Sequence, residues 1–219
     1  MNYQWEFGFL LQYVRLIWVG IGYTIGFTVV TAASGLVVGC AIAIARLADA
    51  RLISLPLVAL VEVFRCTPVL VQLVWCYYAL PMLTGIELSP SMAAFLTLTL
   101  YGGSFFAEII RGGIVAVDRG QWDAGRALGM RGVDLMRRIV LPQAFKQMVP
   151  PLVNQTVLQL KNTSLLSVLA VPDLLYQGQL ITSASYRPLE TYTVIAVIYF
   201  LILFPVTRFA QALETRLAK

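Results

Sequence analysis

Histidine is absent from this chain, and only 12% of its 219 residues are charged. A soluble globular domain carries about a quarter charged residues, so a water-surrounded fold is excluded at the outset. Without histidine, the side chain that most often serves as general base or metal ligand near neutral pH is missing. No Ser or Cys stands beside a plausible base, which leaves hydrolytic catalysis without support. Cysteine is scarce: Cys40, Cys66 and Cys76 lie in apolar runs, without the spacing of a disulfide framework or metal site. They are expected to act as small apolar packing residues. No Gly-x4-Gly-Lys-Ser/Thr loop occurs, so this chain does not itself hold ATP. The Gly20-x-Gly22-x3-Gly26 run has the wrong spacing for a dinucleotide fingerprint and no strand before it. Low-complexity tracts, repeats and the paired inverted halves of many secondary transporters are also missing.

What the chain has in abundance is apolar length. Hydrophobic residues make up 59% of it, and mean hydropathy is +0.79. The fold class expected is all-α, a polytopic membrane protein forming one transmembrane domain over residues 1–219. Five stretches approach the length of about 20 residues needed to cross the hydrocarbon core: about 20–45, 57–83, 88–110, 149–171 and 190–209. The second is interrupted by Glu62 and Arg65, the third ends near Glu108, and the fourth contains Lys161. The opening Met1–Val19 is broken by Glu6 and Arg15 and carries Trp5, Tyr13 and Trp18. It reads as an amphipathic helix lying in the interface rather than a sixth span, and it lacks the basic start and cleavage site of a signal peptide.

The net charge of +5 is concentrated in alternate loops. Arg46 and Arg51 lie in the first and none in the second. Seven basic residues (Arg111, Arg119, Arg126, Arg131, Arg137, Arg138 and Lys146) face Asp118, Asp123 and Asp134 in the loop 111–146. Only Arg187 lies in the next, and Arg208, Arg216 and Lys219 lie at the end of the last span and in the tail. This alternation puts the N-terminus outside, and the C-terminus and basic loop inside. It accounts for the positive charge better than a nucleic-acid patch does, so no nucleic-acid partner is expected.

Two segments carry more pattern than a connector or a lipid-facing helix needs. In the basic loop, Asp123 with Gly120 ahead of it fits a helix N-terminus. Ala124, Gly125 and Gly129, with Leu128 among them, would let another protein approach that helix closely. Val133–Phe145 reads as a second short helix with Pro142 near its end and Met136, Ile139 and Val140 on one apolar face. In the fourth span, Gln155, Gln159 and Asn162 share a face at i, i+4, i+7, with Asn154 and Lys161 beside them. A mid-membrane charge costs about 2.5–3.5 kcal/mol on insertion scales and turns toward water or a partner. This face is therefore either a buried structural network or the lining of a solute path. Glu62 and Arg65 can pair one turn apart, as can Glu108 and Arg111. Pro68 removes a helical hydrogen bond and is expected to kink the second span. Thr31, Gly35, Gly39 and Ala43 form a small-residue stripe suited to close helix packing.

The ordered run Asp123-Ala124-Gly125-x3-Gly129, then Ile139-x-Leu141-Pro142, resembles the cytoplasmic loop of permease subunits of bacterial ATP-binding cassette (ABC) importers. That family's pattern is Glu-Ala-Ala, three residues, Gly, nine residues, Ile-x-Leu-Pro; here Asp replaces Glu and Gly125 the second Ala. Three further runs are similar to the polar amino-acid permeases of that family. They are Glu62-Val-Phe64-Arg65-Cys-Thr67-Pro68-Val-Leu70-Val71-Gln72, Ala107-Glu108-Ile109-Ile110-Arg111-Gly112-Gly113-Ile114, and Lys161-Asn162-Thr163-Ser164-Leu165 followed by Pro172-Asp173-Leu174. The resemblance implies a type I importer permease fold with a coupling helix at Asp123, Ala124, Gly125, Leu128 and Gly129. It also implies two ATPase subunits, a second permease identical or homologous, an extracytoplasmic solute-binding protein, and a bacterial inner-membrane location. ATP and Mg would belong to the ATPases, with no cofactor on this chain. The solute path is expected near Gln155, Gln159, Lys161, Asn162, Glu62 and Arg65. Neutral amides at Gln155 and Asn162, where the family commonly has an acid, favour a neutral or acidic amino acid over a basic one. The alternative class is an ion-coupled transporter or channel, with Lys161 and Glu108 as coupling residues.

Overall fold

The architecture is taken from a computed structural model that describes residues 3–47 and 51–217. Residues 48–50 of the first basic loop, Met1 and Asn2 of the opening segment, and Lys219 of the basic tail lie outside the described residues. The described residues contain helices and no strands.

Ten α-helices follow in order, several continued by short 3-10 or π turns. They are α1 (Val14–Leu47), α2 (Arg51–Cys66), α3 (Val69–Val74), α4 (Leu80–Thr84), α5 (Pro90–Val115), α6 (Arg119–Ala127), α7 (Gly132–Leu135), α8 (Leu141–Asn162), α9 (Leu174–Ser185) and α10 (Pro188–Leu217). Three continuous helical stretches are long and apolar enough to cross a membrane: Gly8–Leu47, Pro90–Val115 and Pro188–Arg216. Two further candidates are broken. Arg51–Cys66 and Val69–Thr84 meet at 109°, and Gly132–Leu169 and Leu174–Ser185 meet at 44°.

α5 is the central post. Its most apolar window is 61% buried, against 33% for the first span and 11% for α10. α1 crosses it at close range because the facing residues are small. A Cβ on Gly39 would stand 2.7 Å from Phe106 Cβ and 2.8 Å from the Gly103 carbonyl, and one on Gly35 3.2 Å from the Gly103 nitrogen. The buried face of α1 is Gly20, Thr24, Thr28, Thr31, Gly35, Gly39, Ile42 and Ala43, while Val29, Val30, Val37 and Ile44 point outward and are more than half exposed. The buried face of α1 is thus smaller and more polar than its outward face. That inversion of the soluble pattern suits lipid, where small residues and interhelical hydrogen bonds replace hydrophobic burial as the packing force.

Several expectations are corrected. The opening segment forms no separate interfacial helix: residues 14–19 belong to α1, and residues 8–13 enter it through a 3-10 turn. No proline interrupts that run. Upstream, Tyr3 and Glu6 strap onto the start of α10. The Tyr3 hydroxyl and the Glu6 N–H both donate to the fully buried Glu190 carboxylate, which Arg187 also reaches at 3.0 Å. Donation to that carboxylate raises the Tyr3 phenol above its usual pKa.

Pro68 breaks the second span instead of merely kinking it. Residues 67 and 68 are non-helical, and Gln72 Nε2 covers the freed carbonyls of Phe64 and Thr67 at 2.8 and 2.9 Å. Cys66 is exposed, and its thiol donates to Glu62 at 3.4 Å. Cys40 and Cys76 do pack against apolar clusters.

Pro142 does not end a short helix. The chain is helical without interruption from Gly132 through Asn162, passing through a π turn at Met136–Val140. In that turn the Leu141 N–H bonds back five residues to Met136. The wide turn supplies room ahead of the Pro142 ring, a known use of π bulges.

Candidate functional site

The loop between α5 and α8 is a built structure. Glu108, where α5 nears its end, is paired with both Arg46 of α1 and Arg111, so two helix ends are tied together at one level. Three residues beyond α5, Asp118 caps α6: its carboxylate accepts from the Gly120 N–H at 2.7 Å. The cap is therefore Asp118 and not Asp123, which lies a turn further in with its side chain 73% exposed, facing Arg126 at 3.8 Å.

α6 stops by a Schellman motif. Gly129 adopts φ +74°, its N–H donates to Arg126 O at 2.9 Å, and the Met130 N–H donates to Gly125 O at 3.1 Å. Gly129 is thus required by its own backbone, since a side chain in this left-handed conformation costs about 1–2 kcal/mol. Gly125 also has an internal reason. Its Cβ position lies 2.3 Å from Leu135 Cδ1 and 3.3 Å from Ile139 Cδ1, so this glycine faces the chain's own next helix. The expectation that Gly125 offers its backbone to a visiting protein is corrected accordingly. The outward face is Gly120, Ala124, Ala127 and Leu128, all exposed, with Leu128 at 80%.

The inner side of the loop is fused to the membrane bundle. Leu135 and Val140 join Ala43, Ile110, Ile114, Val117, Ala144 and Met148 in one buried cluster, with Trp122, Met136 and Ile139 packed on it. Gln143 of α8 donates to Gln121 of α6 at 3.3 Å. α6 therefore grips the first turns of the helix that continues inward as α8. α6 and the start of α8 are thus in direct packing contact.

α8 carries the polar residues in two sets. Gln159 is completely buried, and its Nε2 donates to Thr31 Oγ1 at 3.1 Å and to the Leu98 carbonyl at 2.7 Å, joining α1, α5 and α8. Gly102 leaves the space this amide occupies, 3.0 Å from its Cβ position. Gln155 is buried too, with its amide nitrogen unpartnered among the described residues. These two belong to the bundle's own interior. Asn154 and Lys161 open outward with Leu158 between them, and Asn162 is half-buried at the helix end. Glu62 and Arg65 pair at 3.1 Å on an exposed part of α2, where Arg65 also covers the Phe105 ring. The predicted residues are thus divided between a buried lock and an exposed stripe.

One feature carried no signal in the sequence beyond its place in a motif. Asp173 is fully buried and caps α9, accepting from Leu175 N–H at 3.1 Å, Tyr176 N–H at 3.0 Å and Tyr199 Oη at 3.3 Å. The Leu174 N–H donates to Thr24 on α1. The break after the 3-10 turn Thr163–Leu169 is therefore held by hydrogen bonds from two other helices. Its partners lie 150 and 26 residues away in sequence, which is why periodicity could not show them.

Fold and loop together define a helical chain with stretches long and apolar enough to cross a membrane and a small helix packed on the start of α8. Its family is settled by comparison. Residues 35–219 match the family model of the binding-protein-dependent transport system inner membrane component, and the chain belongs to that family. It is 33% identical over 215 residues to the glutamine transport system permease protein GlnP of Escherichia coli (strain K12), covering 98% of each chain. It is 30% identical over 216 residues to the arginine transport system permease protein ArtQ of Bacillus subtilis (strain 168), covering 97% of each. Among solved structures it resembles one described as an amino acid ABC transporter with histidines, with TM-score 0.92 and 34% identity, covering 98% of this chain and 100% of that one. The MetNI methionine ABC transporter in an inward-facing form, at 21% identity and TM-score 0.71, shares the fold. The type I ABC permease fold expected from the motifs is the one found.

Proposed function

We propose that this chain is the membrane-spanning permease of an importer for a polar amino acid, moved by ATP hydrolysis in two partner ATPase subunits. The observation that carries the reading is the two-sided construction of α6. One side is fused through Gly125, Leu135 and Ile139 to the start of α8; the other leaves Ala124 and Leu128 open to a visitor. Together with Asp123 and Gly129, these residues form a coupling helix seated in an ATPase groove. Five spans result if each bent pair crosses once, with the N-terminus outside and the loop 111–146 and the C-terminus inside. A second permease, identical or homologous, completes the path, and an extracytoplasmic binding protein delivers the solute to the outer loops near Gly85 and Ser183–Pro188. ATP and Mg are held by the ATPases.

On this reading the exposed stripe of Asn154, Lys161 and the adjoining Asn162 faces the path, with Glu62 and Arg65 at its margin, while Gln155 and Gln159 hold the helix in place. Within the fourth span the outward-opening face carries Lys161 and no carboxylate. An interior of that sign favours a neutral or acidic amino acid over a cationic one. Relatives named for glutamine and for arginine transport bracket this choice.

The test uses the whole complex in proteoliposomes. Ala124→Trp and Leu128→Glu alter only exposed positions, so insertion and folding remain while ATP-dependent uptake falls to background. Unchanged uptake in both variants sinks the coupling assignment. Uptake that survives ATP depletion but collapses with the proton gradient would favour an ion-coupled transporter instead.

A further inference from the structure

Two prolines of this chain stand in the same local arrangement. At Met136–Val140 the helix widens into a π turn, closed by the Leu141 N–H bonding back to Met136, and Pro142 follows. At Trp75–Ala79 it widens in the same way, closed by the Leu80 N–H bonding back to Trp75, and Pro81 follows. Proline alone does not force such a turn, since Pro56, Pro150, Pro151 and Pro205 lie inside α-helices without one. A π turn takes up one extra residue within an α-helix and is frequent at functional sites. At Met136–Val140 the packing shows what that extra residue does.

Leu135 and Val140 are both buried, in the same cluster as Ala144 and Met148. Five residues along a regular α-helix subtend about 500°, which would leave those two about 140° apart. The wide turn removes that offset and brings Leu135 onto the buried face. From Val140 the face continues at α-helical steps through Ala144, Met148, Gln155 and Gln159. Ahead of the turn, Leu135 packs under Gly125 of α6, 2.3 Å from its Cβ position. Beyond the turn, Gln159 bonds Thr31 and the Leu98 carbonyl. Slippage by one residue is a rotation of about 100°, which would carry Leu158 or Leu160 toward the place of that amide.

Pro142 decides which register is held. In a regular α-helix residue 142 would donate to the Arg138 carbonyl, and Leu141 to that of Arg137. Proline has no N–H to give, and its ring crowds the carbonyl four residues back, so the regular register loses a bond and gains a clash at this point. We propose that Pro142 is a positioning residue for transport: by holding the turn Met136–Val140 open, it fixes the facing of α8 relative to the stretch that α6 grips. This role rests on the coupling reading of α6 given above. It adds to that reading the joint that keeps the grip and the Gln159 lock in register.

The test closes the turn by one residue. Deleting Arg137, an exposed residue within the turn, makes the Leu141 bond to Met136 an ordinary α-helical one and leaves every later residue facing as before. Deleting Lys146, an exposed residue in the regular part of α8, rotates everything after it. Each deletion is made in the whole complex and read by ATP-driven uptake in proteoliposomes. Facing is read by the drop in melting temperature that Gln159→Glu adds, because that carboxylate meets the Leu98 carbonyl only while position 159 is in its lock. The Arg137 deletion should keep most of the uptake and the full Gln159→Glu drop, whereas the Lys146 deletion should lose both. Pro142→Ala by itself should lose most of the uptake, since the extra residue can then slip along the helix. Combined with the Arg137 deletion it should recover, because no extra residue remains to slip. An Arg137 deletion without the Gln159→Glu drop overturns the proposal. So does full uptake by Pro142→Ala, or a combined variant no better than Pro142→Ala alone. Melting reads facing without transport, so a retained Gln159→Glu drop beside unchanged uptake in Ala124→Trp would sink the coupling reading and leave the turn's effect on facing intact.

Discussion

The two halves of α1 carry the same residue type in similar spacing and use it in opposite ways. Toward one end, Gly35 and Gly39 lie against the α5 backbone, so close that no side chain fits. Toward the other, Gly22 and Gly26 have nothing within 4 Å of their Cβ positions and border an apolar groove with Trp18, Tyr23 and Phe95. α6 repeats the lesson on a smaller scale: Gly125 is kept small by Leu135, whereas Gly129 is kept flexible by its own backbone angle. A glycine in a sequence of this kind marks a possibility. What lies across from it determines the cost of replacing it.

The largest effect should come from Gly39→Leu. Backbone atoms of Gly103 and Ala107 surround the site, so relief requires α1 and α5 to separate, at a cost of about 3 kcal/mol or more. The purified variant should aggregate on gel filtration; a monodisperse peak with unchanged melting temperature would break the contrast. Next comes Asp173→Ala, which removes the cap of α9 and the Tyr199 partner from a buried position and should cost about 2 kcal/mol. Thermal melting in detergent measures it, and Asp173→Asn should recover part of the loss.

Gly129→Ala should cost about 1–2 kcal/mol through backbone strain alone, and trimming any neighbour should not rescue it. Gly125→Ala, by contrast, should be rescued by Leu135→Ala, with a coupling of at least about 0.5 kcal/mol in a double-mutant cycle. Additive melting shifts for that pair would remove the distinction between the two glycines. The smallest effect has the opposite sign. Gly22→Ala has open space around it, and should stabilise by up to about 1 kcal/mol through helix propensity. A marked loss there would reveal a partner helix seated on that groove.

The rival reading of the polar fourth span can be judged from the same residues. Periodicity correctly put Gln155 and Gln159 on one face, and the structure buries both between helices. It could not separate them from Asn154 and Lys161, about a third of a turn or more around the helix, which open outward. The Glu62–Arg65 and Glu108–Arg111 pairs were legible because both partners lie within one helical turn. Arg46, the third member of the Glu108 group, comes from 62 residues away and was not.

Composition and the order of apolar runs were enough to establish a helical membrane chain, because backbone groups in hydrocarbon must be satisfied within the helix and about 20 residues are needed to cross it. Short-range rules were enough to expect a small helix in the loop, but they misplaced its start, which Asp118 and not Asp123 caps. The small-residue stripe of α1 was legible as a packing face, but the tertiary structure decided the facing of the other helices, that Pro68 is a break while Pro142 follows a π turn, and that Gly125 serves its own chain. Where a buried face is built of small and polar residues, as in α1, hydrophobicity gives length but not facing; facing follows from contacts between residues far apart in sequence.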